Sequence, residues 1–300
     1  MQLKTALEQA IALLEKGGVP SPRLTAEVLL MHATHCDRAH LYAHGERELT
    51  EVEWIHYGRY LRERLDGKPT QYITGHQEFW GLDFLVNPSV LIPRPETEQV
   101  VETAVALARE HFPPDAELNI ADVGTGSGCI AVALAKELPH ARVYALDQSA
   151  QALDTARRNA ARLGVEQRIV FAQSDLLELC SGESLPPLEI IVSNPPYVSE
   201  RDRATLMREV RDFEPPEALF AGESGNDVYA RLIPQAARAL LPGGFLVLEL
   251  GIDSQEHAAA LLSSPEGKKQ WDKEQEKQWE NITWRRDLAG IVRVVSARRS

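Results

Sequence analysis

The stretch Leu118-Asn-Ile-Ala-Asp-Val-Gly-Thr-Gly-Ser-Gly-Cys-Ile-Ala-Val-Ala-Leu-Ala135 decides how this chain is read. A short apolar run, three alternating glycines and a second apolar run describe a buried strand, a tight turn and a buried helix. Gly124, Gly126 and Gly128, with Thr125 and Ser127 between them, permit a tight turn, close backbone approach to a ligand and close helix-on-strand packing. The next strand, Arg142–Leu146, ends in Asp147, 23 residues after Gly124, where a carboxylate accepts hydrogen bonds from a ribose diol. The spacing is GxGxG and not the GxGxxG of dinucleotide sites. A nucleoside ligand without a pyrophosphate therefore fits better than NAD, which stays the alternative. Asp122 precedes the loop, placed to order the turn or to reach an amino-acid portion of the ligand. A βα turn that binds nothing is the bland competitor.

Working outward, Ile169–Gln173, Glu189–Ser193 and Gly244–Leu250 read as further strands, with helical patterns between most of them. That alternation predicts an α/β architecture with a doubly wound, mostly parallel sheet. The β-rich runs starting at Ile282 and Ile291 predict an antiparallel hairpin at its edge. The polar run 265–281, with five acids and four bases, reads as a solvated helix or loop.

The fourth strand runs into Asn194-Pro195-Pro196-Tyr197. Two prolines end the ladder abruptly at the carboxyl edge, where open α/β sheets place ligands. Proline offers a carbonyl and no N–H, so the turn is rich in acceptors. The Asn194 side-chain oxygen and the Pro195 carbonyl are placed to take the two hydrogens of a planar NH2 group, with Tyr197 against its flat face. An amide nitrogen is a poor nucleophile, and two acceptors orient it and favour positive charge as it attacks an electrophilic methyl. The competing reading is a strand-ending turn with a buried tyrosine.

Upstream, residues 2–65 carry helical stripes: Leu3, Leu7, Ala10, Leu13 and Leu14; Leu24, Val28, Leu29 and Met31; Trp54, Tyr57, Leu61 and Leu65. They predict a small bundle with these side chains as core. Gln77-Glu-Phe-Trp-Gly-Leu-Asp-Phe-Leu-Val signals a hairpin around Gly81, and Pro95, Glu96 and Glu98 mark the start of a helix reaching about Glu110. The expected division is 1–70, a helical substrate-recognition domain; 71–93, a hairpin linker; and 94–300, the α/β domain. His32, His35, Cys36, His40 and His44 include i, i+4 pairs that suit zinc. Asp37-Arg38 breaks the helix between them, so capping and surface roles are expected and no metal. Arg94, Glu96 and Glu98 are read either as the mouth of the site or as a solvent-facing helix start. Glu249 ends the fifth strand on the ligand side, where a structural ion pair explains it equally well. Cys129 opens the helix after the glycine loop, where a thiol pKa can fall; packing is the reading preferred.

Composition sets the outer limits. The chain has 300 residues, 44% hydrophobic and 25% charged, with a net charge of −12. That balance excludes disordered or collagen-like chains and argues against a broad nucleic-acid surface, though not against a local basic patch. No apolar run is long enough to span a bilayer. Three separated cysteines without CxxC suit a reducing compartment, and Met1-Gln-Leu-Lys-Thr lacks a secretion-signal pattern, so a cytoplasmic location is expected.

With the glycine loop, Asp147 and Asn-Pro-Pro-Tyr in this order, the chain resembles the class I S-adenosylmethionine-dependent methyltransferases. The closer resemblance, carried by Tyr72-Ile-Thr-Gly, Glu78-Phe-Trp-Gly, Leu91-Ile-Pro-Arg-Pro-Glu-Thr-Glu and Arg286-Asp-Leu-Ala-Gly with Arg293, is to the release-factor glutamine N5-methyltransferases (HemK/PrmC family). The resemblance implies a seven-stranded methyltransferase sheet behind an N-terminal helical bundle. It implies that Gly124, Thr125, Gly126, Ser127 and Gly128 line S-adenosyl-L-methionine, that Asp147 holds its ribose, and that Leu176 lies beside its adenine, at a position often aromatic in relatives. Asn194 would touch both cofactor and target amide, and Pro195, Pro196 and Tyr197 would complete the clamp. The implied substrate is the glutamine of Gly-Gly-Gln in class 1 peptide chain release factors, bound by a monomer with no direct nucleic acid and no membrane contact. A nucleic-acid adenine-N6 methyltransferase, which shares Asn-Pro-Pro-Tyr, is the runner-up, and a non-catalytic cofactor sensor the third reading.

Overall fold

The computed structural model describes residues 1–179, 184–263 and 278–300 and divides into two compact units. Cys180 and most of the polar run 265–281 lie outside the described residues.

The helical unit comprises Met1–His76 and Met207–Phe213. It contains α1 (Leu3–Lys16), α2 (Pro22–Thr34), α3 (Arg38–Ala43), α4 (Glu51–Leu65) and α5 (Thr70–Thr74). Leu3, Leu7, Ala10 and Leu14 are buried at the expected spacing, whereas Leu13 is 45% exposed, because it turns about 100° away from Leu14 on the helix. Leu24 and Trp54 are likewise exposed, and the core of α2 and α4 consists of the expected Leu29, Tyr57 and Leu61 together with Leu30. Both exposed residues sit in the first turn of their helices, so each apolar stripe is longer than the surface its neighbours cover. The Tyr57 hydroxyl donates to the Ala26 carbonyl at 3.1 Å, which satisfies the one polar atom of a fully buried ring. Thr50 and Glu53 close a capping box at the start of α4. Asp37 caps α3 by accepting the His40 N–H at 2.7 Å, so the histidine-rich segment is split between two helices. Among the described residues, no group of three or more His, Cys, Asp and Glu side chains is arranged to hold a metal ion. The buried Arg64 pairs with Glu209, which ties the short helix Arg208–Phe213 to α4.

The α/β unit comprises Gln77–Leu206 and Glu214–Ser300. Its first feature is the hairpin of β1 (His76–Phe79) and β2 (Leu82–Leu85). The two loop residues, Trp80 and Gly81, both have positive φ, as a two-residue hairpin turn of right-handed twist requires. Trp80 is held there by its indole N–H on Glu137 and its backbone N–H on Glu98. A single 3-10 turn, Pro95–Thr97, then opens α6 (Glu98–His111).

Beyond α6 come β3 (Asn119–Val123), α7 (Cys129–Glu137), β4 (Arg142–Asp147), α8 (Ala150–Arg162), β5 (Ile169–Asp175), the two-residue β6 (Glu178–Leu179) and β7 (Leu188–Ser193). The chain continues through α9 (Arg208–Phe213), already placed in the helical unit, to α10 (Asp227–Ala239), β8 (Leu240–Glu249), α11 (Gln255–Ser263), β9 (Trp279–Arg286) and β10 (Val292–Arg299). The sheet order is β6-β5-β4-β3-β7-β8-β10-β9. Five central strands are parallel; β10 runs antiparallel to β8, and β9 antiparallel to β10. Seven long strands thus form the mostly parallel sheet, and β6 adds a short antiparallel edge to β5. Alternation along the strands assigns the two faces. Ile120, Ile190 and Val192 face the core beneath α6, α7 and α8, while Ala121, Val123 and Ile191 face the core beneath α10 and α11. The terminal hairpin turns on Asp287, whose carboxylate accepts from the Ala289 and Ile291 N–H groups and from Arg293. No described helix is long and apolar enough to cross a membrane.

The chain leaves β3 for β4 and β5 on one side and returns for β7 and β8 on the other. The carboxyl ends of β3 and β7 are therefore the topological switch point, where an open α/β sheet leaves a crevice.

Candidate active site

That crevice is a cavity of about 350 Å³ walled by the ends of β3, β4, β5 and β7 and by residues 89–97 and 215–220. Gly124, Thr125, Gly126, Ser127, Asp147, Leu176, Asn194 and Pro196 all line it. These sequence-predicted positions span 73 residues of chain, from 124 to 196, and the fold gathers them at one edge. Gly128, Pro195 and Tyr197 do not line the cavity, although Pro195 stands between Asn194 and Pro196, which do.

The glycine loop is held by the chain's own backbone. The N–H groups of Gly124 and Thr125 both reach the Leu146 carbonyl, at 2.8 and 2.9 Å, folding the loop across the end of β4. Gly124 and Gly126 have φ of +74° and +54°, and a Cβ on either would meet nothing within 4 Å. Their backbone therefore borders open space, as a loop that admits a ligand needs. Gly128 serves the other purpose: its φ is +80°, and a Cβ there would stand 2.9 Å from the Ala156 Cβ. It lets α7 approach α8.

Asp147 accepts the Gly126 N–H on one oxygen and the Ser149 N–H on the other, both at 2.9 Å. Each oxygen keeps a lone pair for a further donor. Burial raises its pKa, and the backbone donors from Ser149 and Gly126 oppose the rise. Leu176 has φ +56° and lies just past β5, its carbonyl held by the Ser174 hydroxyl at 2.7 Å. A left-handed leucine is uncommon, and here it borders the cavity. Asp175 and Arg231, paired at 2.6 Å, close the same side.

Asp122 orders the turn. Its Oδ2 accepts from the Thr125 hydroxyl at 2.6 Å and the Ala131 N–H at 3.1 Å, while Oδ1 has no partner and the residue is fully buried. Burial pushes its carboxyl up to about 7 against those two donors. Because the folded-state pKa is raised, this group favours the fold below the ordinary carboxylate range and costs stability as pH climbs toward 7. Asp122→Asn keeps an acceptor for both donors. Its stability relative to the parent is expected to improve between about pH 5 and pH 8, read from urea unfolding; an unchanged difference at the two pH values contradicts this account. Cys129 is driven the opposite way from a reactive thiol: burial raises it to about 12, so it packs.

The Asn-Pro-Pro-Tyr corner is braced from behind. The Asn194 Nδ2 donates to the Thr97 hydroxyl at 3.0 Å, and the Tyr197 hydroxyl donates to Glu249 Oε1 at 3.1 Å. Glu249 is 2% exposed, and burial lifts its carboxyl to about 7, while the Thr97 and Tyr197 hydroxyls favour its charged form. Of the two readings of Glu249, the ion pair gives way to a hydroxyl-bonded carboxylate, because Arg293 is drawn to Asp287 instead, at 3.0 Å. Arg94, Glu96 and Glu98 do not line the cavity either. Arg94 pairs with the buried Glu214, and Glu98 takes the Trp80 N–H at 2.8 Å. Thr97, between them, is the residue of that segment that reaches the cavity.

Two contributors escaped sequence reasoning. Thr97 is one, and Asn159 is the other. Asn159 is fully buried on α8, where its Nδ2 donates to the carbonyls of Ser127 and Leu85 and its Oδ1 takes the Leu85 N–H. It fastens the glycine loop to the hairpin. A polar residue within an otherwise alanine-rich buried face was its only signal.

Comparison with known proteins adds three findings. Residues 5–75 match the model of the PrmC N-terminal domain, and residues 97–211 that of the methyltransferase small domain. Proteins named release factor glutamine methyltransferase are similar over nearly the whole chain. The one from Koribacter versatilis is 45% identical, covering 100% of this chain and 99% of its own. The one from Nitratidesulfovibrio vulgaris is 41% identical, covering 99% and 95%. Among solved structures, the hMettl16 catalytic domain in complex with MAT2A 3′UTR hairpin 6 superposes with a TM-score of 0.55 at 14% identity, covering 79% of this chain and 81% of that one. At that identity the likeness is one of fold.

Proposed function

Since this chain belongs to the release factor glutamine methyltransferase family, we propose that it methylates the side-chain nitrogen (N5) of the glutamine in the Gly-Gly-Gln motif of class 1 peptide chain release factors. It is a methyltransferase dependent on S-adenosyl-L-methionine, and the open backbone of Gly124 and Gly126 beside the Asp147 carboxylate fits that cofactor's nucleoside. When bound, S-adenosyl-L-methionine supplies an electrophilic methyl group on a sulfonium.

The chain's own residues supply the rest. Asp147 takes the ribose hydroxyls, Leu176 offers an apolar face to the adenine, and the loop from Gly124 to Ser127 borders the remainder. Asn194 Oδ1 and the Pro195 carbonyl accept the two amide hydrogens, turning the nitrogen lone pair toward the methyl carbon. As the nitrogen gains positive charge these two bonds strengthen, so they favour the transition state over the bound substrate. The released proton leaves to solvent, and no histidine or thiol is needed. Pro196 stiffens the corner, and Tyr197 acts through its bond to Glu249. The observation that carries this reading is the placing of Asn194 and the glycine loop on one 350 Å³ cavity.

In this reading the helical domain at 1–70 and the linker at 71–93 recognise the release factor, while 94–300 performs the transfer. The protein works as a monomer in the cytoplasm without binding nucleic acid directly, in keeping with a net charge of −12. Incubation with a release factor and labelled cofactor, followed by mass spectrometry of the Gly-Gly-Gln tryptic peptide, is expected to place one methyl on that glutamine. Labelled duplex DNA beside an unlabelled release factor would reverse the assignment.

A further inference from the structure

Arg286-Asp-Leu-Ala-Gly carries part of the family resemblance, yet no step of the methyl transfer uses it. In the structure it forms the turn between β9 and β10, and Leu288 at its tip is fully exposed, at 110%. We propose that the Leu288 turn is a docking element for the release factor, meeting an apolar patch that flanks the target glutamine. The proposal rests on the methyl-transfer reading above and adds to it a recognition surface on the α/β unit.

A lone exposed leucine is ordinary on a protein surface. This one is held out by a built turn. The Asp287 N–H donates to the Ile291 carbonyl at 2.8 Å, and the Gly290 N–H to the Asp287 carbonyl at 2.9 Å. Asp287 Oδ1 takes the Ala289 and Ile291 N–H groups, both at 2.9 Å, and Oδ2 pairs with Arg293 at 3.0 Å. Arg286 donates to the Gly290 carbonyl at 2.6 Å, and Gly290 supplies the left-handed backbone, at φ +81°. Fixing the turn in advance lowers the entropy lost when its leucine is bound.

Register places this turn at the edge of the sheet where the crevice lies. β8 runs parallel to β7, with Leu248 opposite Ser193, the residue before Asn194. β10 starts at that edge, with Val294 opposite Glu249, and the Leu250 N–H on the Arg293 carbonyl extends the pairing. The turn therefore projects from the carboxyl edge, two to three strand spacings from β7, or about 10–14 Å. A protein substrate sends only its glutamine into the crevice, so the surface around that glutamine rests on this edge. A contact of about 800 Å² per partner, if round, reaches about 16 Å from its centre and takes in the turn. Among the described residues the α/β unit exposes two other large apolar side chains, and the more exposed of them, Ile252, follows β8 at the same edge.

Steady-state methylation of a release factor, cofactor affinity by calorimetry and sedimentation test this. Leu288→Ala is expected to raise KM for the release factor by on the order of tenfold, with kcat and cofactor affinity close to the parent's. Leu288→Glu should raise KM further, and Leu288→Met should bring it back to within about threefold of the parent's. Asp287→Ala keeps the leucine but frees the turn, and is expected to raise KM by about threefold or more. The exposure of Leu288 leaves nothing for the fold to lose, so its variants should keep the parent's thermal midpoint. An unchanged KM in Leu288→Ala and Leu288→Glu overturns the proposal, as does a loss confined to kcat or to cofactor affinity. A parent dimer that Leu288→Glu dissociates at unchanged KM assigns the turn to a second copy of the chain and overturns it too. A parent that leaves the release factor unmethylated defeats the underlying reading instead, and the proposal with it.

Discussion

Asn194→Ala is expected to lower the rate of release-factor methylation by on the order of 10²–10³-fold while the protein stays folded. The size follows from what is lost: one of two preorganised acceptors aimed at the nitrogen as it gains charge. The fold survives because Asn194 is only half-buried and, among the described residues, its side chain bonds to Thr97 alone. Steady-state assays should show kcat falling much further than cofactor affinity. The thermal midpoint should stay within a few degrees of the parent's, consistent with losing about 1 kcal/mol from one hydrogen bond. A variant with intact turnover would remove the corner from the chemistry. One that no longer folds would recast it as a structural turn.

Gly128→Val should produce the largest loss of stability at any position in the loop, on the order of 2–4 kcal/mol. Two costs combine there. A β-branched side chain at φ +80° is strained by its own backbone, and its Cβ would stand 2.9 Å from the Ala156 Cβ and 3.2 Å from the Ala156 Cα on α8. Ala156 is fully buried and has no room to retreat. Urea unfolding measures the effect, and cofactor affinity should fall with it, because Ser127, just before Gly128, is bonded through its carbonyl to Asn159 on the same helix. At Gly124 or Gly126 a Cβ would meet only open space, so Ala there should spare more of the stability and act on the ligand. Equal destabilisation at all three glycines would contradict the division of labour among them.

Much of this was legible from local pattern. The strand–glycine–helix run at 118–135 and the proline stop after Asn194 each follow from the backbone preferences of the residues themselves, so their place at the carboxyl edge of a parallel sheet could be read without coordinates. The hairpin around Gly81 was legible for the same reason, although the left-handed Trp80 beside it was not. Leu13, Leu24 and Trp54 share the helical stripes yet stay exposed, because periodicity tells which residues share a face and not how far a neighbour covers it.

Sequence by itself determined the fold class, the glycine loop, Asp147 and the Asn-Pro-Pro-Tyr corner, since each is written in contiguous residues whose conformational limits act locally. Tertiary structure alone decided which polar side chains support them. It took Arg94 and Glu98 away from the site, gave Glu249 a hydroxyl partner in place of a cation, and brought Thr97 across 97 positions to Asn194 and Asn159 across 32 to Ser127. The physical reason is that a hydrogen bond is directional and short-ranged, so its partner is set by where the sheet and helices deliver each side chain, which spacing along the chain does not encode.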